Sequence, residues 1–566
     1  MAKLWHKLNK CNLWVVLILI GIYITISIFN WSSLTSTPSA NWQGVKNRQI
    51  KFTFNHPTQV KYVYYYLGLA NGDLHILAHD ESGQQLDFGI AKTSGESPPV
   101  YQWNYLQVNR DLKLSDLTIK IESSTVQFKQ ILLLDPDKKV INDYKIAINY
   151  NPQSDEIDNL IAVTPPANYE PQLKSGMIYD EVYYAISAYQ YLHKINLYAV
   201  NHPPLGTLLI AIGIWLFGMN TFGWRIIAYL CGIVIIPIVY NLAHRLLKTK
   251  FGAVVATLLF IFDFMHFTIS RFALIDAILI IFTSCIYLTL LAYIQAKQQQ
   301  QFVRARKNLY YLGLWFALGL SVKWITLFSL IAILPILFYY ELWQKKVNLT
   351  QLIDGGVILV IIVLIYSLSY VPQYFNQPRL VNFVEFVWQQ QIAMYHYHTG
   401  YAVTHHHFYQ SKWWGWPLLL RPQKIYASFI PNSSEYFALV LMGNPAIWWF
   451  SIVAVMLILI NWFKNRDWRL AFILLALASL YLPYALVQRT SFIYYLYEAT
   501  PFMVIAIASV LENGIKRSEV LLRGLVWFYL FIVIALFILF YPVLSGLVVE
   551  RLYIYKYLLW FQGWQF

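Results

Sequence analysis

Charge is scarce in this sequence. Asp, Glu, Lys and Arg together make up 12% of its 566 residues, while 58% are hydrophobic. That balance excludes a soluble globule, in which about a quarter of residues are charged. Acids are scarcer still, 28 against 42 Lys and Arg. The basic excess, a net charge of +14, falls largely in short joints: "HRLLKTK", "KQQQQFVRARK", "FKNRDWR" and "KRSEVLLR". Basic residues confined to joints between apolar runs set membrane orientation and are not a nucleic-acid footprint. Cysteine is almost absent. Cys11, Cys231 and Cys285 lie in or beside apolar runs, so the long polar segment has no disulfide of its own. There is no P-loop, no dinucleotide-type glycine motif and no internal repeat.

What the sequence does have is apolar length. Leu13–Phe29, Leu352–Tyr370, Ala446–Trp462 and Gly524–Tyr541 come close to or reach the roughly 18–20 residues that cross a bilayer. The pattern predicts an all-α polytopic membrane protein of about 11–13 transmembrane helices. The first run exceeds a signal-peptide core and reads as an uncleaved anchor with a cytoplasmic N-terminus. One stretch does not fit simple counting. Pro204–Phe217 is short for a span, yet almost two helices' worth of apolar sequence lies between His202 and "HRLLKTK".

Residues 32–173 differ in kind. "RQIKFTFN", "VKYVYYYLG", "DLHILAH", "QQLDFGIA", "YQWNYLQV", "LTIKIES" and "VQFKQILLL" read as short strands. "NGD", "DESGQQ", "SGESPP" and "DPDKK" supply turns between them. Evenly spaced strands predict a β-sandwich of jelly-roll type, inserted on the exterior side. The expected division is residues 1–31 (N-terminus and first helix), 32–173 (sandwich) and 174–566 (membrane domain, with an exterior loop at about 372–444). By analogy of fold alone, such a sandwich is a sugar binder or a scaffold.

Candidate chemistry starts at "MIYDEVYY". Asp180 and Glu181 are adjacent and so cannot share one helix face. They are either an acidic helix start, favourable to the dipole, or two acids with separate tasks, one of them a base for a hydroxyl. "HPPLG" follows, with His202, Pro203 and Pro204 at a rigid entry turn. Inside apolar sequence stand Asp263, His266, Arg271 and Asp276, each costly there. Arg271 suits a phosphate or pairs with Asp276. Lys323 either serves a site or snorkels to an interface. The later loop carries His396, His398, His405, His406 and His407 among Trp413, Trp414 and tyrosines. Their spacing matches no zinc signature and no acid cluster supports one, so no metal ligand is assigned. Aromatics with His suit a sugar-stacking surface or an interfacial belt.

The order "DEVYY … HPPLGTLL … FDFMHFTISRFALID … LGLSVKW … YHYHTG … THHHFYQSKWWGWPLLLRP … GNPAIWW … YEATPF" resembles the protein O-mannosyltransferases, and their bacterial branch in particular. The resemblance runs from about Ser175 to the C-terminus. It implies a GT-C-type membrane enzyme in the bacterial plasma membrane, working on the exterior face. The implied donor is a polyprenyl-phosphate sugar, mannose or a similar hexose, and the implied acceptor is Ser/Thr of exported proteins. Asp180 would be the base and Glu181 a positioning group. Arg271, Lys323, Arg421 and His202 would hold the phosphate. Asp276, Pro203, Pro204 and Trp324 would support them, and His396, His398, His405, Trp413 and Trp414 would line the acceptor side. No nucleotide cofactor is implied, and a divalent metal is left open. Two departures stand out. The later loop is too short for the β-trefoil of eukaryotic members, and the strand-rich insert lies before the membrane domain instead. A lipid or cell-wall glycan acceptor is the alternative with the same donor, and a lipid-linked sugar transporter is a reading of another class. A transporter usually shows repeated, broken helices, and it needs no hydroxyl-activating base.

Overall fold

The structure is a computed structural model. It describes residues 10–566 except 35–36, 70–71, 94–98, 109–110, 150–159, 163–172, 344–348, 377–380, 401–403, 405–406, 430–433 and 517–518. The chain forms two compact units. One comprises Trp31–Tyr189 and Gly213–Trp224, and the other Met1–Asn30, Gln190–Ile212 and Arg225–Phe566.

Among its described residues the first unit holds nine strands. They are β1 (Trp42–Val45), β2 (Gln49–Gln59), β3 (Tyr62–Leu67), β4 (Leu74–Asp80), β5 (Gln85–Ala91), β6 (Trp103–Gln107), β7 (Lys113–Ile121), β8 (Thr125–Leu134) and β9 (Tyr144–Ile148). The sheets run β1-β8-β3-β6 and β5-β4-β7-β2-β9, and every pairing is antiparallel. This is the jelly-roll order, with β9 added beside β2. Seven strands lie where the alternation put them. β1 and β9 are short and have no clean turn signal beside them, and sequence reading passes over both. Alternation explains the core. Leu74, Ile76 and Ala78 of β4 and Leu117, Ile119 and Ile121 of β7 point inward and are buried, together with Trp42, Phe52 and Phe128. At the β4–β5 turn Gly83 has φ +83°, which a residue with a Cβ adopts only with strain.

The outward positions of the five-stranded sheet form ion pairs. Lys51 Nζ and His79 Nδ1 lie 2.8 and 2.9 Å from the two oxygens of Asp116. His75 lies between Asp87 (2.8 Å) and Glu122 (3.1 Å).

The second unit is helical. Among the described residues, eight helices are long and apolar enough to cross a membrane: Thr221–Leu247, Ile275–Gln298, Trp324–Glu341, Leu349–Asn376, Pro445–Asn465, Trp468–Ala485, Ile493–Lys516 and Val520–Ser545. Shorter apolar helices are Leu13–Ser27, Leu205–Phe217 and Lys250–Ile261. The excess apolar sequence after His202 is thereby accounted for. Thirteen residues of helix rise only about 20 Å, short of a hydrocarbon core of about 30 Å. Gly218, at φ +81°, ends that helix. Asn220 accepts from Gly223 N at 2.8 Å and starts the 27-residue helix that follows. Long faces stay apolar and uncovered: Leu521, Trp527, Phe531 and Ile538 are each at least 60% exposed. Such a belt is stable in lipid and not in water, so the chain is a multi-pass integral membrane protein.

The sandwich ion pairs predict a pH dependence. The bonds to Asp87 and Glu122 hold His75 above its ordinary 6.5. Its contribution to stability is therefore complete below about pH 6.5 and is lost as pH rises through the raised value. Asp116 is partly buried, yet Lys51 and His79 hold it below its ordinary 3.8. Its contribution is present above that value and is lost as pH falls through the lowered one. Amide protection factors of β4 and β7, measured in the full-length protein, should be highest in mildly acidic solution. His75→Gln should remove only the alkaline decline.

Candidate active site

Lys323 sits where two segments meet. The Phe302–Leu320 helix ends with Ser321, and Lys323 precedes the one-turn-tight start of Trp324–Ser329. Leu205 N donates to Ser321 O at 3.0 Å, which fastens the His-Pro-Pro turn to the Ser-Val-Lys turn. Gly206 allows that approach, since a Cβ there would lie 2.7 Å from Ile275 and 3.1 Å from Val322. Pro203 and Pro204 are buried, and His202 is half-buried. The entry turn is thus a structural joint that presents His202 beside Lys323.

Lys323 is 6% exposed and Asp276 is 5% exposed. The ammonium lies 2.8 and 3.1 Å from the two Asp276 oxygens. It also lies 5.6 Å from the Tyr495 ring centre and 5.8 Å from that of Tyr494. Asp276 therefore pairs with Lys323, not with Arg271. A cavity of about 240 Å³ opens here, lined by His202, Lys323, Trp324, His398, Arg489, Tyr484 and Tyr495 among others. His398 reaches it from the Phe383–Thr399 helix, which is seated by Met394 and Phe386 against Tyr370. Trp324 Nε1 donates to Tyr366, which donates to Gln391 of that same helix. The His398 ring lies 5.3 Å from His202 and 6.0 Å from Trp324.

Arg489 is the cation that sequence reading missed. Its Nη1 lies 2.5 Å from His398 Nδ1. Burial and Arg489 lower His398 to about 4. Burial, then Lys323, puts His202 well below its ordinary value. Both rings are thus neutral at neutral pH, and His398 accepts from Arg489. Among the described residues, Lys323, Arg489 and the Asp276 carboxylate stand around an aromatic cavity, an arrangement suited to an anion with an apolar tail. A signal was available, because Arg489 is the only charged residue from Leu470 to Tyr497.

Arg271 takes a different place. It is fully buried and donates to the carbonyls of Ser27 (3.1 Å), Phe29 (2.8 Å), Leu544 (3.1 Å) and Ser545 (3.4 Å). Its guanidinium stacks on Phe267. These carbonyls end the first and last apolar helices, where backbone acceptors lack helical partners. The forked cation expected at a phosphate instead satisfies two helix C-termini. Asp263 is likewise structural: it caps Phe264–Ile269 and accepts from Trp448 Nε1 at 2.8 Å.

Arg421, His396, Trp413 and Trp414 do not line this cavity. Arg421 stacks on Phe408 at 5.3 Å. His396 is exposed and contacts Tyr395. Trp413 packs edge-on against Tyr481, and Trp414 is 52% exposed. His405 lies outside the described residues.

The acidic pair belongs to the other unit. Tyr179, with φ +56°, turns the chain into the Glu181–His193 helix. Glu181 is fully buried, and its Oε2 accepts from Ile178 N at 2.9 Å. Asp180 is half-buried, and its carbonyl starts the helical bonding with Tyr183 and Tyr184. The two adjacent acids thus have different settings. Glu181 closes a helix start from inside, and the Asp180 carboxyl is the more accessible of the two.

Two family descriptions match the sequence with a short overlap. "Dolichyl-phosphate-mannose-protein mannosyltransferase" matches residues 217–387. "C-terminal four TMM region of protein-O-mannosyltransferase" matches residues 383–564. The polyprenol-phosphate-mannose–protein mannosyltransferase of Mycolicibacterium smegmatis is 28% identical over 478 residues, covering 72% of this chain and 92% of that one. The enzyme of that name from Corynebacterium glutamicum is 25% identical, covering 65% of this chain and 82% of its own. Among solved structures, the S. cerevisiae protein O-mannosyltransferase Pmt1-Pmt2 complex bound to the sugar donor matches with a TM-score of 0.57. That match is 14% identical and covers 68% of this chain and 89% of that one, a likeness of fold.

The Arg271 geometry predicts a stability phenotype. Arg271→Ala leaves several buried carbonyls unpaired and should cost on the order of 3 kcal/mol or more. Thermal unfolding in detergent would show it as a lowered midpoint. A variant with wild-type stability and selectively weakened donor binding would instead restore a phosphate role.

Proposed function

This chain belongs to the protein O-mannosyltransferase family, and from that premise we propose how its residues divide the reaction. The enzyme transfers mannose from a polyprenyl-phosphate donor to protein. Its acceptors are Ser and Thr hydroxyls of exported proteins, and its place is the bacterial plasma membrane with the site on the exterior face. The observation that carries the reading is the Lys323–Asp276 pair beside Arg489 and two neutral histidines on an aromatic cavity. Such a cavity suits the phosphate of a lipid-linked sugar. The phosphate is already a leaving group, so no nucleotide is required.

In the reaction the acceptor oxygen bonds to the anomeric carbon. The bond from that carbon to the phosphate oxygen breaks, and polyprenyl phosphate leaves with the electron pair. Asp180 takes the hydroxyl proton as base, and a single displacement inverts the anomeric centre. Glu181 holds the helix start that carries Asp180. Lys323 and Arg489 take up the charge that grows on the leaving phosphate. A glycosidase protonates its leaving oxygen from a second carboxyl; here a cationic clamp serves that purpose.

Purified full-length enzyme, given polyprenyl-phosphate mannose and a Ser/Thr-rich peptide, should add one hexose per modified hydroxyl, read by mass spectrometry. Hexose on a lipid or glycan and none on peptide would overturn the acceptor assignment. Asp180→Asn should still bind donor but turn over about 100-fold slower or worse; transfer at the wild-type rate removes Asp180 as base. Arg489→Gln should weaken donor binding by about 2 kcal/mol, roughly 30-fold.

A further inference from the structure

The glutamine run "KQQQQF" has no task in this scheme. It forms a tight joint. Gln299 N donates to the Gln295 carbonyl at 3.1 Å and Gln301 N to the Ala296 carbonyl at 2.8 Å. Gln300 stands between them at φ +56°. The Ile275–Gln298 helix closes in this way, and the Phe302–Leu320 helix starts at once. The turn leaves Phe302 56% and Val303 74% exposed. Both lie on a hollow of about 560 Å³ whose other lining residues are Gln300, Gln301, Arg304 and Lys307. Asp276 and the donor cavity lie at the opposite end of the 24-residue Ile275–Gln298 helix, about 35 Å away at 1.5 Å per residue.

The cations at this joint fall into two groups. Lys297 pairs with Glu341 at 2.5 Å and Arg306 with Asp354 at 2.7 Å. Arg245, Arg304 and Lys307 have no carboxylate partner among the described residues. Arg245, in the last turn of the Thr221–Leu247 helix, donates only to amide oxygens, Nε to Asn241 at 2.8 Å and Nη1 to Gln295 at 3.1 Å. Arg304 Nη1 likewise donates to Gln301 at 3.0 Å. Both guanidinium residues are half-buried, and they are near enough for one charge to act on the other.

An amide orients a guanidinium without cancelling its charge. Membrane orientation asks only that a joint be basic. It does not ask for two half-buried like charges side by side, which repel until an anion comes between them. Phe302 and Val303 narrow the class of that anion. Beside a bare phosphate their side chains would face water. Beside a phospholipid they would meet its glycerol and upper chains.

We propose that Arg245, Arg304 and Lys307, with Phe302 and Val303, hold the phosphate headgroup of an anionic phospholipid in the leaflet opposite the donor cavity. The headgroup neutralises the guanidinium pair. It also ties the ends of the Thr221–Leu247 and Ile275–Gln298 helices to the start of Phe302–Leu320. The site does not depend on where the donor phosphate binds.

Purified full-length protein in neutral detergent is titrated with short-chain phosphatidylglycerol, with phosphatidylcholine of the same chain length and with inorganic phosphate. Phosphatidylglycerol should raise the unfolding temperature, and phosphatidylcholine should not. Arg304→Gln combined with Lys307→Gln should weaken the phosphatidylglycerol response roughly 30-fold. Mannose transfer by that double variant in phosphatidylcholine should match wild type. Val303→Ser should weaken the response too, and it tests the site without removing a charge. Equal stabilisation by phosphatidylcholine overturns the proposal. So does a phosphatidylglycerol response that both variants keep in full; its loss in Arg489→Gln instead would put the lipid in the donor cavity. Inorganic phosphate that stabilises as well as the lipid at equal concentration, with no effect of Val303→Ser, overturns the lipid as occupant.

Discussion

Lys323 and Asp276 meet at 2.8 Å in a place where neither is more than 6% exposed. In an apolar interior neither charge is tolerable alone. The pair therefore fixes where three segments lie: the start of the Ile275–Gln298 helix, the Ser-Val-Lys turn and, through Ser321, the His-Pro-Pro turn. Other features of the cavity follow from this fixed point. The Tyr494 and Tyr495 rings approach the ammonium, and His202 is held beside a cation and stays neutral. Arg489 then has a neutral acceptor in His398.

The same constraint organises groups away from the cavity. Helix ends leave backbone carbonyls and amides without helical partners, and a bilayer supplies no water to satisfy them. Arg271 answers this for the ends of the first and last apolar helices. Asp263 answers it for a short internal helix and takes the Trp448 indole as well. An isolated ionisable residue in apolar sequence is therefore of two kinds: one closes a backbone deficit, and the other is poised at a cavity. Arg271 and Lys323 look alike in sequence and fall on opposite sides of that division.

The sandwich unit obeys different physics, because water can satisfy its surface. One face of each strand is buried in a common core. The other face of the five-stranded sheet carries Lys51, His75, His79 and Asp116 in ion pairs. Seven of its strands were legible because a period of two leaves a clear mark. β1 and β9 were not, since they are short and have no clean turn signal beside them.

Sequence by itself determined the class of the protein. Apolar length, scarce charge and basic joints fixed a membrane body, alternation fixed a sandwich, and ordered motifs pointed to one transferase family. It also singled out Asp263, Arg271, Asp276 and Lys323, because an ionisable residue inside apolar sequence is expensive where it stands. Only the tertiary structure decided what each is for. Asp276 could pair with Arg271, five residues before it, or with Lys323, forty-seven after it, and the fold chose the distant one. Arg489 stands out as the only charged residue from Leu470 to Tyr497, but nothing in that segment names His398 as its neighbour. The reason is physical. The cost of burying a charge is local and shows in the sequence around it, while the partner that offsets that cost is set by packing between segments far apart in the chain.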